Sequence, residues 1–155
     1  MKKIIFFLVF IVIMLKVNSQ ETIDYIKIKK SINGISCMNA NQTNVDSTFA
    51  NLLKLDTNKI KNGLEEYYYD LAMMYFFKVA YCEEKLEEFG NEAIKYNIRC
   101  INLNKKNSAA YNNLALVYLH KNQNDKAKEI LILYKKYTKR KYWDKSLIEQ
   151  IEESK

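Results

Sequence analysis

The longest run of helical periodicity lies between Leu64 and Phe89, where Leu71, Tyr75, Val79, Cys82, Leu86 and Phe89 recur at steps of three or four. Unbroken, a helix over this segment would be about 39 Å long at 1.5 Å per residue. Gly90 stands where a left-handed residue closes a helix, and a break near Ala80 is the alternative. Asn91 can cap the next helix, Glu92 to Leu103, with Ala93, Ile94, Ile98 and Ile101 facing inward. Asn104 to Asn107 forms a loop. Ser108 can then cap a helix through Leu119 that presents Tyr111, Leu114, Ala115 and Tyr118 on one side. Asn122 falls where the chain must turn, and Asn tolerates the left-handed conformation nearly as glycine does. Asn124 or Asp125 opens a further helix whose stripe is Ala127, Ile130, Leu131, Tyr134 and Tyr137. Lys139-Arg140-Lys141 interrupts the rhythm. A last helix is predicted from Trp143 to Glu152, with Leu147, Ile148 and Ile151 inward and Glu149, Glu152 and Glu153 outward.

Before Leu64 the pattern is weaker. A short helix over Thr22 to Lys30, a turn at Asn33-Gly34 and a polar loop from Asn39 to Asp46 are expected. Asp46 or Ser47 can cap a helix that turns Phe49, Leu52 and Leu53 inward, and Asp56-Thr57-Asn58 breaks and recaps the chain. The sequence has no proline and only three glycines, whereas strand-and-turn architectures use more of both. The fold class is therefore all-α.

The first nineteen residues stand apart. Lys2 and Lys3 precede an apolar run from Ile4 to Leu15, followed by Lys16, Val17, Asn18 and Ser19. A basic start, an apolar stretch of this length and small residues at Val17 and Ser19 fit a secretory signal cut after Ser19. An uncleaved anchor is the alternative, although the run falls short of the roughly 20 apolar residues a membrane span needs. Export, to a periplasm or outside the cell, is the expectation. Loss of Lys2, Lys3 and Lys16 would lower the net charge from +7 to about +4, too modest to argue for nucleic acid. Of the three cysteines, Cys82 and Cys100 flank Gly90 and could meet in a helical hairpin. Small buried apolar residues are the preferred reading of the pair.

The sequence Tyr111-x-x-Leu114-Ala115-x-x-Tyr118, a polar break, then Ala127-x-x-x-Leu131 resembles the tetratricopeptide repeat, a helix–turn–helix unit that stacks on copies of itself. Ala115 stands for the usual glycine, Leu131 replaces an aromatic, and Lys139 takes the place of the usual proline. Small residues at Ala115 and Ala127 would let the two helices approach closely. A preceding unit is a poorer match. Its second helix would carry Ala93, and its first helix would read Tyr68-x-x-Leu71-Ala72-x-x-Tyr75. Tyr68 and Tyr111 lie 43 residues apart against a usual period of about 34, so an insertion of about nine residues between Tyr75 and Ala93 is preferred. The gap-free register would use Phe77, Ala80, Tyr81 and Glu84, putting a charge where an aromatic is expected. The implied organisation is a signal over 1–19, a helical and loop segment over 20–62, tetratricopeptide-like repeats over 63–141 and a capping helix over 142–155. Two repeats are fewer than the usual three, so the flanking segments must cover the open ends, or the chain must self-associate as a homo-oligomer.

The resemblance implies an adaptor that binds a protein or peptide along its first helices. It points to Tyr69, Asp70, Met73 and Phe76, then Asn112, Asn113, Leu116 and His120. Burial of Tyr69, Met73 and Phe76 under the N-terminal segment is the competing reading. A second candidate is the basic–aromatic cluster from Lys135 to Trp143. It holds Lys135, Lys136, Lys139, Arg140 and Lys141 among Tyr134, Tyr137, Tyr142 and Trp143, and it would suit an anionic surface or polymer. Its plainer reading is a cation-rich helix end with the aromatics packed inward. Nothing points to an enzyme, a cofactor or a metal. His120 is the sole histidine and has no Cys or carboxylate at ligand spacing. The carboxylate pairs Glu65-Glu66, Glu83-Glu84 and Glu87-Glu88 read as solvated helix surface.

Overall fold

The computed structural model describes residues 22–32, 42–82 and 85–154. The leader, the Asn33-Gly34 turn, Cys37 and the Glu83-Glu84 pair lie outside them. Among the described residues seven α-helices run in order: α1 (Tyr25–Ile32), α2 (Gln42–Leu53), α3 (Leu64–Cys82), α4 (Leu86–Leu103), α5 (Ser108–His120), α6 (Asn124–Tyr137) and α7 (Lys145–Glu153). From α2 onward each helix contacts the next, and the alternate helices α3 and α5 also touch. This is the all-α helical-hairpin stack that the periodicity predicts.

The second hairpin, α5 and α6, follows the sequence closely. Tyr111, Leu114 and Ala115 are buried on α5, and Ala127, Leu131 and Tyr134 on α6. Asn122 takes the left-handed conformation at φ 55° and turns the chain between them. The cap of α5 is Asn107, one residue before the expected Ser108, and its side chain accepts from the Ala110 amide at 2.9 Å. Helix α7 starts after Asp144, whose carboxylate accepts from Leu147 N at 3.1 Å. It lays Leu147 and Ile151 onto a core built from Tyr111, Ala115, Ala127, Leu131 and Tyr134.

The first hairpin departs from expectation in an informative way. No helix ends at Gly90. Helix α3 stops at Cys82, near the alternative break at Ala80, and Lys85 takes the left-handed backbone (φ 60°) just before α4. Gly90 lies inside α4 and is buried, because the Lys121 side chain crosses it. A Cβ there would stand 3.1 Å from Lys121 Cδ. Lys121 continues to Glu87 at 2.5 Å, and its side chain is only 2% exposed. Gly90 thus admits a neighbouring chain where it was expected to end a helix. Asn91 caps nothing and donates to Glu87 one turn back.

Helix α4 also faces the core differently. Its buried stripe is Gly90, Ala93, Asn97 and Cys100, and Ile98 is exposed. Cys100 is a free, buried thiol, so it forms no bridge to Cys82. Burial, then the nearby Glu65 carboxylate, pushes that thiol up to about 12. Glu65 itself accepts from the side-chain amides of Asn104 (2.9 Å) and Asn107 (2.6 Å), tying the start of α3 to the α4–α5 loop.

At the N-terminal end, residues 23–24 form a short parallel pairing with Ile60–Asn62 where helix was expected to begin at Thr22. Helix α2 starts at Gln42, earlier than Asp46 or Ser47, because Val45 and Thr48 extend its buried stripe to Leu52. Leu53, expected inward, is exposed. The Asp56 break is as expected: its carboxylate accepts from Asn58 N at 3.0 Å and caps a single 3-10 turn. Tyr25, Leu52, Ile60, Tyr67, Leu71 and Met74 make the core at this end.

Candidate partner-binding face

Helices α3 and α5 occupy equivalent places in the two hairpins, and burial shows their register. Shifted back by 43 residues, the buried positions Ala110, Asn113, Leu114, Ala115 and Val117 fall on Tyr67, Asp70, Leu71, Ala72 and Met74, which are also buried. The half-buried Asn112, Leu116 and Tyr118 fall on Tyr69, Met73 and Tyr75, likewise half-buried. The extra residues lengthen both helices of the first hairpin: 19 and 18 residues in α3 and α4, against 13 and 14 in α5 and α6. The insertion register therefore keeps the layers between the hairpins aligned.

The eight candidate residues separate into two groups. Asp70 and Asn113, at equivalent positions, belong to the interior, 3% exposed each. Asp70 accepts the Tyr25 hydroxyl at 2.8 Å and pairs with Lys29 at 3.1 Å, so the N-terminal segment claims it. Asn113 donates to Asn97 Oδ1 at 3.3 Å, and Asn97 in turn donates to the Ala93 carbonyl at 2.9 Å. The side-chain oxygens of both Asn112 and Asn113 are shielded from solvent and accept no hydrogen bond among the described residues. As placed, these amide oxygens are turned away from a ligand arriving from solvent.

What remains on the face is mainly aromatic and apolar, with the half-buried Asn112 among it. Tyr69, Met73, Phe76 and Leu116 are half-buried, and His120 is exposed. Phe76 meets His120 edge to face with ring centroids 5.2 Å apart, joining the two first helices across the hairpin boundary. Met73 also packs on the N-terminal core and Leu116 on the C-terminal core.

The basic cluster folds as a corner between α6 and α7. Tyr134 is buried, donates its hydroxyl to the Tyr142 carbonyl at 2.6 Å and accepts from Asp144 N at 3.1 Å. Trp143 is half-buried and its indole N–H donates to Thr138 Oγ1 at 3.1 Å. Lys135 is bound to Glu152 at 2.7 Å. Most of the aromatics are thus turned inward, and Tyr142 alone is open, at 54% exposure. The sequence did not connect Lys145, Ile148, Glu149 and Glu152 with this cluster, because Ile148 reads as the inner face and Glu149 and Glu152 as the outer face of a separate terminal helix. The carboxylates Glu65 and Glu87 serve hydrogen bonds and ion pairs within the fold.

The family model described as tetratricopeptide repeat matches residues 98–129. Over that stretch the chain is similar to a tetratricopeptide repeat. The matched stretch runs from the last turns of α4 through α5 into α6, so it includes Tyr111, Ala115, Asn122 and Ala127. It stops short of α3 and α7. No curated protein and no solved structure matches the chain. A repeat of this kind points to protein–protein interaction in general and belongs to a class of scaffolds rather than catalysts. Among the described residues no helix is long and apolar enough to cross a membrane.

Proposed function

We propose that the chain is an exported, non-catalytic adaptor that holds a protein or peptide partner against the first helices of its two hairpins. The observation that carries this reading is the alignment of Tyr69 with Asn112 and of Met73 with Leu116 on one register, closed by the Phe76–His120 contact. The face offers a thioether and aromatic rings, groups that adapt to a partner's side chains at little polar cost. Export rests on the basic, apolar and small-residue order of residues 1–19.

A photo-crosslinking residue placed singly at Met73, His120 or Ile132 tests the face. Ile132 is the control, being an exposed apolar residue on a second helix, at 67% exposure. In the native compartment, crosslinks to one discrete partner from Met73 and His120, with none from Ile132, are expected. Equal capture from all three positions refutes the assignment. N-terminal sequencing of the accumulated protein checks export, which predicts a start at Gln20.

A further inference from the structure

The corner between α6 and α7 holds an open pocket of about 280 Å³ lined by Lys135, Arg140, Trp143, Lys145, Ile148, Glu149 and Glu152. Its interior is Trp143 and Ile148, both half-buried. Lys135 and Glu152 close one side as an ion pair, with Lys135 Nζ 6.0 Å from the Trp143 ring centroid. Arg140 and Lys145 are exposed and make no ion pair with any described residue, nor does Lys139 beside them. The pocket therefore joins an apolar part, Trp143 and Ile148, to a rim on which the two unpaired cations Arg140 and Lys145 outnumber the one unpaired carboxylate, Glu149.

We propose that this pocket docks a short acidic segment of a protein partner, with one apolar or aromatic side chain against Trp143 and flanking carboxylates on Arg140 and Lys145. Such a segment matches the charges: a planar guanidinium takes a carboxylate in two parallel hydrogen bonds, and the ammonium takes a second one. A continuous polyanion fits less well. A polyanion such as a sulfated polysaccharide has no apolar side chain to place against Trp143 and Ile148 in the lining. Trp143 is the one aromatic residue in the lining, so successive bases find no second ring there to stack on. The inference rests on the reading of the chain as a protein binder. It uses a different surface from the α3–α5 face, so the two can fail separately.

Trp143 is the one tryptophan in the sequence, so its emission reports on this pocket alone. The full-length chain is titrated with the blocked peptide Asp-Glu-Phe-Asp-Glu, with its Asn/Gln counterpart, with heparin and with phosphatidylserine vesicles. Calorimetry runs in parallel in case the indole is silent. Saturable binding of the acidic peptide is expected, with at least about tenfold weaker binding of the neutral counterpart and of the acidic peptide to the variant R140E/K145E. Circular dichroism of that variant should be unchanged, since both sites are exposed. The proposal is overturned if the acidic peptide gives neither signal, if its binding survives R140E/K145E, or if heparin or vesicles bind and the peptide does not. If crosslinks from Met73 and His120 prove non-specific while the peptide still binds at Trp143, only the α3–α5 assignment is lost.

Discussion

Removing the Tyr25 hydroxyl should loosen the N-terminal segment from the helical stack by a measurable and limited amount. The Tyr25 ring is fully buried, edge-on to Tyr67 at 5.4 Å, and its hydroxyl donates to Asp70 Oδ2 at 2.8 Å. Tyr25→Phe deletes one oxygen and keeps the ring, so it creates almost no cavity. A hydrogen bond to a charged group is worth about 1.5–3 kcal/mol, and Lys29 stays as a second partner for Asp70, which argues for about 2 kcal/mol. That is a roughly thirtyfold change in the folding equilibrium. With a slope of about 2 kcal/mol per molar urea, the unfolding midpoint should fall by about 1 M. The double variant Tyr25→Phe/Asp70→Asn should recover at least about 1 kcal/mol of the summed single losses, because both changes remove the same interaction. A loss below about 0.5 kcal/mol, with no coupling to Asp70, refutes the claim that this pair fastens the segment.

Three further outcomes follow from the same geometry. Ala127→Leu forces a larger side chain between α5 and α6 at a fully buried site and should cost about 1–3 kcal/mol in urea unfolding, whereas Ile132→Leu, largely exposed, should be close to neutral. Gly63→Ala should cost about 1–2 kcal/mol, because Gly63 has φ +82° and a Cβ there would stand 3.0 Å from the Ile26 backbone nitrogen; thermal melts would measure it, and an unchanged melt would count against that close approach. Stability should also decline at high pH. Burial pushes Tyr67, Tyr75 and the Cys100 thiol each up to about 12, from ordinary values near 10 and 9. The unfolded chain therefore releases these protons first, the folded chain binds more of them above about pH 9, and stability falls as pH rises from there towards 12. Tyrosinate absorbance should lag for these rings until unfolding, and ionisation near 10 of every tyrosine in the folded protein would contradict their burial.

How far each element could be read depended on whether its determinants were local. The α5–α6 hairpin was legible because Tyr111, Ala115 and Ala127 set the packing layer and Asn122 the turn, all within one short stretch. Gly90 was not. A glycine after a helical run has the same appearance whether it ends the helix or makes room for a neighbour. The deciding side chain, Lys121, is remote in sequence. Ile98 and Asn97 exchanged places for a related reason: α4 turns its polar Asn97 inward because Asn113 on α5 meets it there. The pairing of Ile23 with Ile60 spans both α1 and α2, beyond any periodicity signal. On the candidate face, Met73, Leu116 and His120 could be placed from the repeat register. The burial of Asp70 could not, since its partners Tyr25 and Lys29 come from a segment with little pattern of its own.

Asp70 and Asn113 show how the helical stack is tied to the segment before it. Both stand at the same buried position of a first helix, and each needs a polar neighbour from the element packed before it. For Asn113 that neighbour is Asn97 on the preceding second helix. For Asp70 the contacts come from Tyr25 and Lys29 of α1. The N-terminal segment thus performs at one end the service that a repeat would, while Leu147 and Ile151 of α7 cover the core at the other. The substitution carries a constraint. A buried carboxylate stripped of its partners is costly, on the order of 3–5 kcal/mol when one member of a buried pair is removed. A partner reaching the α3–α5 face therefore has to bind with α1 in place, and the accessible part of the face is the stretch from Met73 to Phe76 and from Leu116 to His120, away from Asp70.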